Sequence, residues 1–283
     1  MARKRYGLTE ARIRRFLHEG RGQGTGKHYK PFWKVSDVPS RGRLHRVFCP
    51  KTQREHHLLS DNEYYAFLTL WWDNNVIDIR EQYPLDRQET FEIAARCGVP
   101  HPIDRHSGAI WVMTTDLLVT ERGLNSNREI AFAVKDAEEL CNERVLEKLE
   151  IERRFWERRE IPWRILTDQQ VKCTFTKNLS WILDSDDLNW EKLCCLNPDL
   201  DRIRHELAEG QRINPQMPMR LLCGAVDQRL GYKKATTLGV LRKLLAEKIV
   251  HVDLHTRSLQ NLPAQEFSIQ EVRNGYFKGS TNS

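Results

Sequence analysis

TTDLLVTERGLNSNREIAFAVKD, residues 114–136, decides how this chain is read. Two apolar runs flank the polar ERGLNSN, which predicts two strands joined by a turn. Asp116 stands near the start of the first strand and Lys135 near the end of the second. Because side chains alternate across a strand, Ile130, Phe132 and Val134 share one face, expected to be core. Ala131, Ala133 and Lys135 share the other. Pairing of the two strands would bring Asp116 beside Lys135. Taken alone, such a pair is more often a cross-strand ion pair than a catalytic one. It also suits metal-dependent phosphodiester hydrolysis, in which carboxylates hold a divalent cation and a water is activated in line with the leaving oxygen. Glu63 is the third acid in question. Ser60-x-x-Glu63 before an apolar helix reads as a capping box, although an acid in the first turn of a helix can also face a neighbouring sheet.

Outward from this stretch, the pattern mixes strands with helices. A short helix follows Thr9 and runs out at Gly20, and RGQGTGKHYKPF is a glycine-rich basic loop. No strand precedes GQGTGK and the spacing GxxxxGK[ST] is not met, so a nucleotide site is rejected there. A hairpin of RLHRVF and REHHLL leads into SDNEYYAFLTLWW, a helix with Ser60 as N-cap. A strand VIDI, a helix near 88–97 closed by Gly98, the opening hairpin, a long charged helix near 137–160 and a strand WRIL follow. This predicts an α/β domain over 1–168. Residues 169–283 change character: helical patterns end in KKATTLGVLRKLLAEK and a strand IVHVDL, which fits a winged helix whose candidate recognition helix begins near Ala235 or Thr236. A helical domain that docks only on protein is the competing reading.

The 283 residues carry a formal net charge of +6, unevenly spread. Residues 1–60 hold 15 Lys or Arg against four acids, a local net charge of +11. Such a block, with Tyr29, Phe32 and Trp33 interleaved, suits a phosphate backbone, and Arg21, Lys27, Lys30, Arg43 and Arg46 are the candidate DNA contacts. Seven cysteines (Cys49, Cys97, Cys141, Cys173, Cys194, Cys195 and Cys223) form no CxxC pair, so neither a disulfide framework nor a zinc site is indicated. No apolar run reaches the ~20 residues needed to span a bilayer, and MARKRYGLTEARIRRF has no signal-like apolar segment. The expectation is a cytoplasmic protein without membrane contact.

The order of a helix glutamate, a strand aspartate and a lysine closing the next strand resembles the restriction-endonuclease-like PD-(D/E)xK fold. The segments EGRGQGTGKHY, HHLLSDNE, VIDIREQYPL, TTDLLV, AVK, ERVLEKLEIERRFW and IPWRILTD are more specific. They resemble TnsA, the end-cleaving endonuclease subunit of heteromeric cut-and-paste transposases, in the family's order over residues 19–168. The resemblance implies a restriction-endonuclease-like N-terminal domain and a mostly helical, winged-helix-like C-terminal domain that binds DNA or partners. It implies Glu63 and Asp116 as Mg²⁺ ligands with the Val134 carbonyl, Mn²⁺ being an alternative cation, and Lys135 as the lysine that positions water and stabilises developing charge. It implies cleavage of the 5′ strands at transposon ends, beside a TnsB-type transposase and a TnsC-type ATPase regulator. Ala133 departs from the pattern, since the position two before the lysine ordinarily carries an oxygen. Waters with the Val134 carbonyl, a side chain from elsewhere such as Glu152 or Gln82, or loss of activity are the alternatives.

Overall fold

The computed structural model describes residues 7–38, 42–183 and 199–269. The chain divides between Thr176 and Lys177 into two compact units.

In the first unit, Thr9 accepts the Arg12 N–H and starts α1 (Glu10–His18). The loop after it is built around glycine. Gly22 and Gly24 have φ of +79° and +87°, and a Cβ on Gly22 would lie 2.1 Å from Pro84 Cγ. GQGTGK turns its Gly26 N–H to the Asp78 carboxylate (3.0 Å), so the loop is docked on the sheet by a protein anion. A hairpin of β1 (His45–Cys49) and β2 (Arg54–Leu58) precedes α2 (Asp61–Trp72). Then come β3 (Val76–Pro84), α3 (Arg87–Cys97), β4 (Thr114–Glu121), β5 (Arg128–Lys135), α4 (Glu143–Glu157), β6 (Trp163–Thr167) and the short α5 (Asp168–Val171).

The four-stranded sheet runs β3-β4-β5-β6; the first two pairings are antiparallel and β5–β6 is parallel. Ile130 through Val134 are all buried, so β5 is covered on both faces rather than on the single core face its sequence suggests. Ala131 and Leu118 join Ile93, Ile151, Phe155 and Trp156 in the core beneath α3 and α4. On its other side the sheet meets α2, which reaches β3, β4 and β5. A parallel pair needs a crossover connection, and α4 supplies it between β5 and β6.

Tyr29, Phe32 and Trp33 are buried. Phe32 and Trp33 pack edge-on against Phe16, with ring centroids 5.5 and 5.8 Å away. Phe32 and Trp33 belong to a core that shapes the N-terminal segment, and Tyr29 stacks on Tyr83, so none of the three is a stacking surface for DNA.

The second unit comprises the rest of α6 (Thr174–Leu183), α7 (Leu200–Ile213), α8 (Met219–Leu230), α9 (Thr236–Ala246) and a ribbon of β7 (Val250–His251) and β8 (Ser268–Ile269). Asp227 of α8 holds the start of α9 by accepting the N–H groups of Ala235 and Thr237, each at 2.8 Å. No residue of α9 is exposed, and Val240, Leu241, Leu244 and Leu245 pack in the core. The expected recognition helix is therefore a central helix, because Thr236, Thr237 and Arg242 are buried along with its apolar face; reading a groove needs an open polar face. The helix suggested by LNWEKLCCL lies outside the described residues, as do Cys194 and Cys195. The other five cysteines are free thiols. Among the described residues, no helix is long and apolar enough to cross a membrane.

Candidate active site

The β4–β5 ladder ends at Leu117↔Phe132. Where Asp116 and Ala133 would pair next, the Val134 N–H instead donates to Asp116 Oδ2 at 2.7 Å. The carboxylate thus takes the place of a backbone acceptor and is fixed against β5. Lys135 Nζ donates to the same Oδ2 at 2.9 Å and to the Val134 carbonyl at 2.8 Å. One cation is therefore held by two of the three oxygens expected to face a metal.

Glu63 enters from the first turn of α2. Its own N–H donates to Ser60 Oγ, while its carboxylate accepts from the Ser60 hydroxyl and the Leu59 N–H (3.1 and 2.9 Å). Ser60 caps the helix as expected, but the box is not closed, because the Glu63 carboxylate reaches the Leu59 N–H and the Ser60 hydroxyl rather than the Ser60 N–H. Asn62 Nδ2 donates to Asp136 Oδ1 at 2.8 Å, tying the start of α2 to the end of β5.

Two further side chains converge. Gln82 on β3 has φ +49° in mid-strand, a left-handed conformation costly for a residue with a Cβ. Its amide nitrogen donates to Glu63 (3.2 Å) and its amide oxygen accepts from the Thr114 hydroxyl (3.1 Å). Glu152 of α4, 5% exposed, accepts through one oxygen from the Thr115 hydroxyl (2.8 Å) and Trp163 Nε1 (3.1 Å). It lines an open cleft of about 550 Å³ together with Lys135, Thr114, Trp111 and Lys148.

The electrostatics show excess negative charge. Burial, then the charge of Asp116, pushes Glu63 up to about 7, and the same two causes push Glu152 up to about 7. Burial opposes the charged form of Lys135, but the charge and hydrogen bond of Asp116 outweigh it and raise its pKa. Three carboxylates thus share one ammonium. The oxygen-only donor set of Glu63, Asp116 and the Val134 carbonyl suits a hard divalent cation. Among the described residues, no three His, Cys, Asp or Glu side chains already converge on a common metal position, so a carbonyl and water would be needed in the set.

Of the candidate DNA contacts, Lys27, Arg43 and Arg46 are exposed, and Lys30 is exposed while donating to the Glu19 carbonyl at 2.9 Å. Arg21 is not available. It is 7% exposed, lies 3.6 Å from the Phe16 ring centroid and pairs with Glu19 (2.8 Å) and Asp37 (2.5 Å). Its role is structural, because a buried guanidinium needs carboxylates around it. Sequence alone offers no sign of this, since Asp37 lies 16 residues away.

A mixed sheet carrying an aspartate on one strand and a lysine at the end of the next, with a glutamate from a flanking helix, is the arrangement of the restriction-endonuclease-like fold. Residues 73–168 match the family model described as TnsA-like endonuclease N terminal, and residues 170–254 match the TnsA endonuclease C terminal. Over 276 residues, 97% of each chain, the sequence is 38% identical to "Transposon Tn7 transposition protein TnsA" of Escherichia coli. The chain belongs to the TnsA family of transposon-associated endonucleases. Asp116, Lys135, Gln82 and Glu152 fall inside the first matched span, and Glu63 precedes it.

Proposed function

We propose that this chain is a Mg²⁺-dependent DNA endonuclease, Mn²⁺ substituting, which hydrolyses the 5′ strands at transposon ends in the cytoplasm. It acts beside a TnsB-type transposase and a TnsC-type ATPase. The observation that carries the reading is the meeting of Asp116, the Val134 carbonyl and Lys135 Nζ beside the buried Glu63. Asp116, Glu63 and the Val134 carbonyl would hold the cation. When bound, it supplies Lewis-acid stabilisation of the phosphoryl oxygens and lowers the pKa of the attacking water. In the metal-free protein Lys135 stays an ammonium at neutral pH, so its part is to position the water and stabilise developing charge rather than to take a proton. Gln82 sits between Glu63 and Thr114 and keeps the glutamate in place. Lys27, Lys30, Arg43 and Arg46 are the surface cations that would meet the DNA backbone.

Ala133 favours a second reading, a non-cutting subunit that bridges DNA and partners. Glu152 answers it, because its buried carboxylate lines the cleft with Lys135, whereas Gln82 turns its amide nitrogen to Glu63. The test is incubation with the partner transposase, end DNA and Mg²⁺, resolved strand by strand on denaturing gels. Cutting of the 5′ strand by the wild type, lowered at least 100-fold in Asp116→Asn with assembly retained, supports the enzyme by the scale typical of charge-stabilising groups, roughly 10²–10³. No 5′ cutting by the wild type overturns it in favour of the bridging subunit. Cutting of naked DNA without partners would instead mark a free-standing nuclease.

A further inference from the structure

The four cations of α4 are Arg144, Lys148, Arg153 and Arg154. Arg144 pairs with Glu147 and also donates to the Pro100 carbonyl. Arg153 pairs with Glu150 and Glu157, and Arg154 pairs with Glu150. Lys148 is exposed and makes no ion pair or hydrogen bond among the described residues. It is also the member of the four that lines the cleft shared with Lys135 and Glu152. Positions four apart lie on one face of a helix, so Lys148 stands about one turn, roughly 6 Å of rise, from Glu152. The cleft that Lys148 lines also holds the Lys135 cation and the carboxylates of Glu139 and Glu152.

We propose that Lys148 forms a phosphate subsite, seating on the cut strand the DNA phosphate next to the one hydrolysed. This rests on the nuclease reading above. Lys135 is already committed to Asp116 and the Val134 carbonyl, which puts it at the scissile group. Lys148, a turn along α4 and open to solvent, is displaced toward the rim and takes the neighbouring phosphate. An ammonium is a point charge with rotatable donors, so it contacts a phosphate without reading the base beside it. Lys148 therefore sets register along the strand and not sequence preference.

The test is a cycle of methylphosphonate substitution along the cut strand against Lys148→Met, which keeps the apolar stem, and Lys148→Arg, which keeps the charge. It is read twice, as single-turnover cleavage in the assembled complex with Mg²⁺ and as affinity of the same complex for end DNA in chelator. In the wild type, one methylphosphonate flanking the scissile position weakens both readouts about tenfold, the scale of one charge-assisted hydrogen bond. Lys148→Met falls by the same amount on unmodified DNA and no further on that modified strand, and Lys148→Arg recovers most of the activity. Lys148→Met matching the wild type overturns the subsite. So does a loss that multiplies with every methylphosphonate, or a fall in thermal midpoint that accounts for it. If the wild type does not cut but the affinity cycle still couples, the nuclease reading fails and Lys148 stands as a phosphate contact on end DNA, without a scissile neighbour. If it cuts without coupling, the reverse holds.

Discussion

Glu63 and Glu152 are both buried, and Asp116 adds its charge to each. Their folded pKa values near 7 lie above the 4.5 of the unfolded chain, so the folded state holds more protons between those values. The stability from this linkage is present in full below about pH 4.5 and is lost as pH rises through about 7. Glu152 allows a clean test, because a single oxygen accepts both of its hydrogen bonds and the amide oxygen of glutamine can do the same. Glu152→Gln is expected to stabilise the metal-free protein at pH 8 by on the order of 2 kcal/mol, with the gain vanishing near pH 5; urea unfolding at the two pH values measures it. Equal stability change at both pH values would show that Glu152 is not the titrating group. The same linkage predicts that cleavage rises with pH through about 7 at low Mg²⁺ and that saturating Mg²⁺ moves the rise to lower pH. Rate profiles at two Mg²⁺ concentrations check this, and an unmoved acid limb would separate Glu63 from cation binding. As for Ala133, the sequence states the gap and offers Glu152 and Gln82 to fill it; packing lines the cleft with Glu152 and Lys135 and turns the Gln82 amide nitrogen to Glu63.

Among the elements, β3 carries the least expected feature, the left-handed Gln82 within a strand. Its conformation is held by the Phe32 N–H on its carbonyl and by Glu63 and Thr114 on its side chain. Gln82→Gly relieves the backbone cost that Gln82→Ala retains, roughly 1 kcal/mol, while both remove the amide. The glycine variant is therefore expected to melt above the alanine variant, with cleavage reduced equally in both. Differing cleavage would show that the backbone conformation and not the amide matters to the site. Element boundaries are readable where local chemistry sets them. Thr9, Ser60 and Asp86 cap helices through their own side chains, and Gly98 ends α3 at φ +69°. The ribbon after α9 is shorter than IVHVDL suggests, since only two residues per strand pair. Alternation of apolar residues fits equally well a segment that packs without a partner strand.

Over the whole molecule, the basic N-terminal block is divided by burial into two roles. Arg12, Arg21 and Arg54 lie against aromatic rings and carboxylates, while Lys27, Lys30, Arg43 and Arg46 face solvent. Replacing Lys27, Arg43 and Arg46 together by alanine is expected to lower affinity for DNA and to flatten its salt dependence by roughly 0.9 for each phosphate no longer neutralised. Arg21→Ala is expected to leave that slope unchanged and to destabilise the fold by on the order of 2 kcal/mol, because Asp37 keeps only the longer contact with Arg12 (3.6 Å) and the Lys34 N–H, while the Phe32 carbonyl loses its donor. Anisotropy titrations across salt, with chemical denaturation alongside, distinguish the two; a flattened slope in folded Arg21→Ala would return that residue to the interface. The strand–turn–strand of 114–136, the capped helix bearing Glu63, the acid–acid–lysine order and the family were all legible in the linear chain. They follow from periodicity, caps and short-range spacing, which act between near neighbours. Three-dimensional packing was needed to show which cations are buried, that α9 is a core helix, and that Gln82 and Glu152 stand at the site. Burial and convergence depend on residues tens of positions apart coming together, and a linear pattern carries no record of which of them will meet.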